Sequence, residues 1–300
     1  MKGGAVMNVL LMVVSILFAF LNACFLHKMK EQNLQMDMLL FNALISVVWL
    51  FIFFLYALYN RVYCGQHTVF YGVLYGTVMA GYLLFKSRAL ISGSMALTTM
   101  VGCSSFVITT ILNVMIWHEK ITVSRVLCIG LMLVAIIMIL IPQNEEEKIG
   151  FSKRWFWDCI VFFVMNSSVG IVFRFQQFYD KEGTDLMFII ASATAAILLF
   201  LISFFQNQKI LVKTFSKIRN AEKSIFKYIF ICGITGSIYN RLNIYLTGVM
   251  ENAVFFPIFN GAVVLLTALG GMIIFKEKMP VRQKRGIILG CIAIAGISLA

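Results

Sequence analysis

The chain has 300 residues, of which 61% are hydrophobic and only 13% charged. Soluble domains carry about 25% charged residues, so this composition leaves too little polar surface to wet a globule of this size and excludes an ordinary soluble protein. The net charge is +12, but the cations sit in short stretches between apolar runs, which points to membrane topology signals and lipid headgroup contacts rather than to nucleic acid.

In chain order, the apolar runs predict ten spans: 7–26, 38–59, 68–85, 89–117, 125–141, 155–173, 186–205, 226–247, 253–275 and 286–300. Crossing the hydrocarbon takes roughly 20 apolar residues in a helix. Barrel strands are about half as long and alternate in polarity, which these runs do not. The expected fold is therefore an all-α integral membrane protein with about ten transmembrane helices. The first run is too long for a signal peptide and lacks a small-residue cleavage site. The fourth is long enough to tilt or kink.

Two connections stand out. Residues 142–154 are polar, carry Glu145, Glu146 and Glu147, and divide the chain in two. Residues 206–227 carry six cations interleaved with Ile210, Leu211, Phe215 and Ile218, the pattern of an amphipathic segment lying along headgroups.

An internal repeat is visible. Trp117-His118-Glu119-Lys120 in the first half answers to Phe275-Lys276-Glu277-Lys278 in the second, each between two apolar runs. The boundaries are 1–144 and 150–300, five spans apiece, together one transport unit. Five is odd, so the second copy enters the membrane upside down. A 5+5 inverted repeat is a plan used by secondary transporters, with the solute site between the halves near the midplane.

Polar groups inside spans are expensive and face a cavity or a neighbouring helix. Asn22 and Asn166 hold similar places in the first and sixth spans. Tyr239-Asn240-Arg241-Leu242-Asn243 is the richest cluster, Tyr82 is its counterpart in the third span with Lys86 slightly later, and Asn260 follows Pro257 by three residues. The substrate-binding candidates are accordingly Asn22, Tyr82, Asn166, Tyr239, Asn240, Arg241, Asn243 and Asn260. Pro257 is expected to kink its helix and turn carbonyls towards the cavity. Glu119 and Glu277 stand where spans meet water and are assigned a structural role through ion pairs and helix-end contacts. Arg174 ends the sixth span and is expected to snorkel. Gly72-x-x-x-Gly76 and Gly286-x-x-x-Gly290 allow close helix approach and are compatible with a homodimer.

The seven cysteines form no C-x-x-C pair and the three histidines share no ligand spacing, so neither a metal, a cofactor nor an enzymatic site is expected. Arg241, Arg174 and Lys86, with no acid near the middle of any span, favour an anionic or zwitterionic solute such as an amino acid. The rival readings are a flippase for a lipid-linked substrate on the same scaffold and an integral membrane enzyme.

The two glutamate motifs, the ten spans and the stretch Phe256-Pro257-Ile258-Phe259-Asn260-Gly261 resemble the drug/metabolite transporter superfamily, particularly its EamA-type members. The resemblance covers the whole chain. It implies a secondary transporter that moves a small molecule by alternating access, in the cell membrane if the source is bacterial. Such proteins often have Gly before the glutamate, where this chain has His118 and Lys276. They usually keep both termini in the cytoplasm. The charge count argues the reverse. Loops after odd-numbered spans hold Lys28, Lys30, Lys86, Arg88, Lys148, Lys153, Arg154, the six cations from Lys209 to Lys227 and the five from Lys276 to Arg285, against Lys2, Arg61, Lys120, Arg125, Arg174, Lys181 and Arg241 opposite. Cytoplasmic loops are enriched in Lys and Arg, so the count expects both termini outside.

Overall fold

The structure, a computed structural model, describes residues 2–31, 38–60, 62–92, 95–119, 121–140, 153–206, 223–274 and 280–299. Eleven α-helices run through them, with no strand among the described residues: α1 Lys2–Glu31, α2 Met38–Tyr59, α3 Thr68–Ser92, α4 Met95–Ser104, α5 Phe106–Trp117, α6 Val123–Leu140, α7 Lys153–Tyr179, α8 Thr184–Gln206, α9 Lys223–Val249, α10 Asn252–Ile273 and α11 Val281–Leu299. A single 3₁₀ turn, Lys181–Gly183, joins α7 to α8. Lipid offers no partner to backbone groups, so helices that satisfy their own are the natural outcome of such apolar runs.

Among the described residues, six helices are long and apolar enough to cross a membrane, over Val6–Leu26, Met38–Tyr59, Thr68–Ala89, Lys153–Tyr179, Lys181–Phe205 and Asn252–Ile273. The sequence reading expects ten spans, and the remaining four differ for identifiable reasons. The fourth is divided into α4 and α5 at Ser105. The fifth, α6, and the tenth, α11, are short, and α11 opens with Arg282, Lys284 and Arg285. The eighth, α9, is long enough, but Lys227 and the Tyr239–Asn243 cluster dilute its apolar character. The 142–152 connection, the basic stretch 207–222, and Glu277 with its flanking lysines lie outside the described residues.

Helices pack mainly on partners distant in sequence. α3 lies against α7 and α8, α2 against α8 and α9, α1 against α9 and α10, α6 against α11, and α5 against α10. Two large apolar cores result, beside smaller clusters around Leu199 and Trp155. One gathers Phe41, Trp49, Tyr75, Phe173 and Phe188 from α2, α3, α7 and α8. The other gathers Phe106, Met132, Leu246, Phe255 and Leu265 from α5, α6, α9 and α10. Both GxxxG motifs are used within the chain. A Cβ on Gly76 would stand 2.6 Å from the carbonyl oxygen of Ala191 on α8, and one on Gly290 would stand 2.7 Å from Leu265 on α10.

The break at Ser105 has a defined chemistry. The amide nitrogen of Asn166 on α7 donates to the carbonyl oxygen of Gly102 at 2.9 Å and to Ser105 Oγ at 2.6 Å, and Ser167 Oγ donates to the carbonyl oxygen of Ser105 at 3.0 Å. The same two carbonyls also accept from the backbone N–H groups of Ser105 at 3.2 Å and Thr109 at 3.4 Å, so side chains from α7 add partners at the break. Pro257, where the sequence expects the kink, lies buried inside a continuous α10.

Candidate functional site: a polar cleft between two cores

Two adjoining cavities of about 130 and 330 Å³ lie where the cores meet. They share Met79, Tyr82, Asn166, Tyr239, Phe259 and Asn260 in their walls. The smaller adds Asn240 and Asn243 among aromatic neighbours Tyr75, Phe106, Phe173 and Phe256. The larger adds Asn22 and continues past Leu26, Asn42 and Lys86. Those three residues stand towards the last turns of α1 and α3 and the first turns of α2, so the cleft extends from the middle of the bundle towards one end.

Seven of the eight residues expected from sequence therefore line one cleft. Arg241 does not. Its guanidinium meets Asp185 Oδ1 at 2.9 Å, and it borders a separate apolar hollow with Leu11, Ile52, Phe53, Leu242 and Tyr245. Helical phase explains this. At about 100° per residue, Asn240 and Asn243 stand within a quadrant or so of Tyr239, whereas Arg241 is about 200° away. A cation expected to face solute instead faces the first turn of α8.

The cleft's charge comes from Lys86, which lies outside the eight candidates expected from sequence. Lys86 Nζ lies 3.3 Å from Tyr82 Oη and 5.5 Å from the Tyr82 ring centroid. The two are one helical turn apart, which is the signal that links them. No Asp or Glu is among the described residues of either wall.

The opposite end of the bundle is closed by a lattice of polar contacts. Glu119 Oε1 accepts the Asn252 N–H at 3.1 Å and Glu119 Oε2 accepts the Ala253 N–H at 2.8 Å, capping α10. Amides at a helix N-terminus present a partial positive charge, so a carboxylate suits them. Arg174 Nη2 meets the same Oε1 at 3.2 Å, while Nη1 donates to the carbonyl oxygen of Thr247 near the end of α9. The guanidinium stands 5.9 Å from the ring centroid of Trp117. Arg174 is thus a tie between α7, α9 and the α5–α6 connection, where the sequence reading expects it to snorkel. Arg125 pairs with Glu251 at 2.8 Å at this same end, and Thr68 Oγ1 donates to Asp180. Asn113 Oδ1 accepts from Asn252 Nδ2 at 2.8 Å, joining α5 to the start of α10.

Among known proteins, no family model matches the sequence and no curated protein does. A solved crystal structure of a protein is similar over 96% of this chain and 98% of its own, with a TM-score of 0.75 and 14% sequence identity. Likeness at that identity establishes a shared fold, so the chain takes up, from end to end, an architecture already seen in a crystal.

Proposed function

We propose that this chain is a multi-pass membrane transporter of the EamA type, with ten membrane segments in two oppositely inserted five-helix repeats, moving a small anionic or zwitterionic metabolite by alternating access. The observation that carries the reading is the polar cleft, reached towards one end of the bundle and shut at the other by the Glu119–Arg174 lattice. A soluble-side groove or a dry core would give no reason for seven polar side chains to converge at membrane depth.

The packing supports the repeat. Exchange α1, α2, α3, α4–α5 and α6 for α7, α8, α9, α10 and α11. The α3–α7 contact then becomes α9–α1, the α5–α7 contact becomes α10–α1, and the α2–α8, α5–α10 and α6–α11 contacts map onto themselves. That is the behaviour expected of a pseudo-twofold axis in the membrane plane. The flippase reading needs a lateral route for a lipid tail. The apolar hollow beside Arg241 faces outwards but shares no lining residue with the cleft, so the solute carrier is the better fit.

The test is counterflow in proteoliposomes. Purified protein should give saturable uptake of a labelled member of a panel of small carboxylates and amino acids, above protein-free liposomes, and Asn260→Trp should abolish it by filling the cleft. Uptake at the protein-free level for every solute, by protein that is folded and monodisperse, would sink the transporter reading.

A further inference from the structure

The outer surface of the bundle carries two apolar hollows apart from the cleft, and they differ in charge. The one beside Arg241 is electrically balanced, because Asp185 Oδ1 stands 2.9 Å from the guanidinium. The other, of about 420 Å³, lies between the early turns of α2 and α9. Leu44, Val47 and Val48 form one wall. Phe226 and Phe230, one helical turn apart, form the other beside Ile229. Val47, Phe226 and Phe230 are each about half exposed, while Ile229 is buried. Deeper in, the two helices close on each other. A Cβ on Gly233 would stand 2.7 Å from Val48 Cβ, so the hollow has a blind inner end. At 1.5 Å per residue, Lys227 to Gly233 spans about 9 Å of helix.

Lys227 stands exposed in the wall of this hollow. No Asp or Glu is among the wall's described residues. The sequence leading into α9 has the same sign, since residues 206–227 hold six cations against the single acid Glu222. An apolar concavity stays dry, and in a bilayer a hydrocarbon chain fills it and gains dispersion contacts. Lipid tails are as apolar as these side chains, so the tail alone gives no preference among lipids. The preference comes from the head. A lysine lays its stem along apolar surface and carries its ammonium to the polar layer, where a basic residue attracts an anionic lipid.

We propose that the hollow between α2 and α9 binds one anionic phospholipid, with the charged headgroup on Lys227 and an acyl chain between Val47 and Phe230. The site shares no wall residue with the polar cleft, and it stands whatever solute the cleft carries.

The test is native mass spectrometry of the full chain released from detergent, titrated with phosphatidylglycerol or with phosphatidylcholine of the same acyl chains. The first phosphatidylglycerol should bind about fivefold more tightly than the first phosphatidylcholine, the contribution of one basic residue near a membrane surface. Lys227→Gln should bring phosphatidylglycerol down to the level of phosphatidylcholine and leave phosphatidylcholine unchanged, and Lys227→Arg should restore the difference. Val47→Trp fills the hollow from an exposed position and should weaken both lipids and erase the preference. Glycerol 3-phosphate, which offers a head without chains, should displace neither. Lys227 is exposed, so its variants carry the test alone if Val47→Trp does not fold.

Equal binding of the two lipids by the wild-type chain overturns the proposal. So does a preference that survives Lys227→Gln or a folded Val47→Trp, which would assign it to cations elsewhere. Displacement by glycerol 3-phosphate would make this a site for soluble phosphate and overturns it as well. A lipid-free dimer that Val47→Trp dissociates would give the hollow to a second copy of the chain. None of these outcomes bears on uptake in proteoliposomes, so the lipid site and the transporter reading fail separately.

Discussion

Glu119 joins three chain segments with one side chain that is 7% exposed, against an arginine that is 19% exposed. Breaking a buried pair strands the remaining charge and costs about 3–5 kcal/mol, so Glu119→Ala should lower unfolding stability in detergent by that order. Glu119→Gln should lose less, because an amide oxygen still caps α10. Wild-type stability in the alanine variant would show that the lattice holds nothing together. The preceding residue is informative too. His118 has φ 52°, the left-handed conformation that favours glycine, and glycine is what the family resemblance expects there. The departure in residue type thus leaves the backbone turn intact. Polar residues short enough to stay on their own turn, such as Asn22, Asn166 and Asn260, were legible as cleft residues. Long cations were not. Arg174 and Arg241 each reach a carboxylate on another element, and sequence position locates a Cα rather than the end of an arginine.

Among the elements, the discontinuity fell where no proline marks it. The division at Ser105 is where Asn166 and Ser167 on α7 add bonds to the Gly102 and Ser105 carbonyls, a relation between residues about sixty positions apart that no local pattern displays. Pro257 advertises a kink, yet α10 runs on through it although, as the sixth residue of the helix, it lies beyond the first turn and removes one backbone donor. Glycines were more legible, since spacing of four puts two on one face. Their partners, however, are set by tertiary packing. Gly76 faces backbone on α8, whereas Gly130 has nothing within 4 Å of a Cβ. Gly76→Ala must therefore push two helices apart and should cost about 1–3 kcal/mol. Gly130→Ala should be neutral or slightly stabilising through helix propensity. Unfolding midpoints of the pair in one detergent decide it, and equal midpoints would mean that the close α3–α8 approach is not tight in solution.

At the scale of the molecule, helical class and long apolar segments were legible from composition alone, because lipid leaves few alternatives. The order of packing was not, since α1 meets α9 and α3 meets α7 through contacts unrelated to chain proximity. Orientation remains a matter of charge. The cleft extends towards the end that holds Lys86, Arg88, Lys153 and Arg154, while the Glu119 lattice marks the end that holds both termini. The positive-inside tendency makes the cytoplasm the expected side for the cleft's open end. Lys153 and Thr122 are exposed at opposite ends. In a background without native cysteines, Thr122→Cys in intact cells should react with an impermeant maleimide and Lys153→Cys should resist it. The reverse labelling would return both termini to the cytoplasm and turn the cleft outwards.

The distant partnership of α1 also sets a clock on biosynthesis. Its principal neighbour α9 begins at Lys223, and at roughly 5–20 residues per second a ribosome takes on the order of ten to forty seconds to reach it from the end of α1. Throughout that interval Ser15 and Asn22 lack Asn243, Thr235 and the Cys232 carbonyl that later receive them. The unpartnered interval is a property of chain order alone, and ribosomal pausing before residue 223 would lengthen it without altering a single contact of the finished protein.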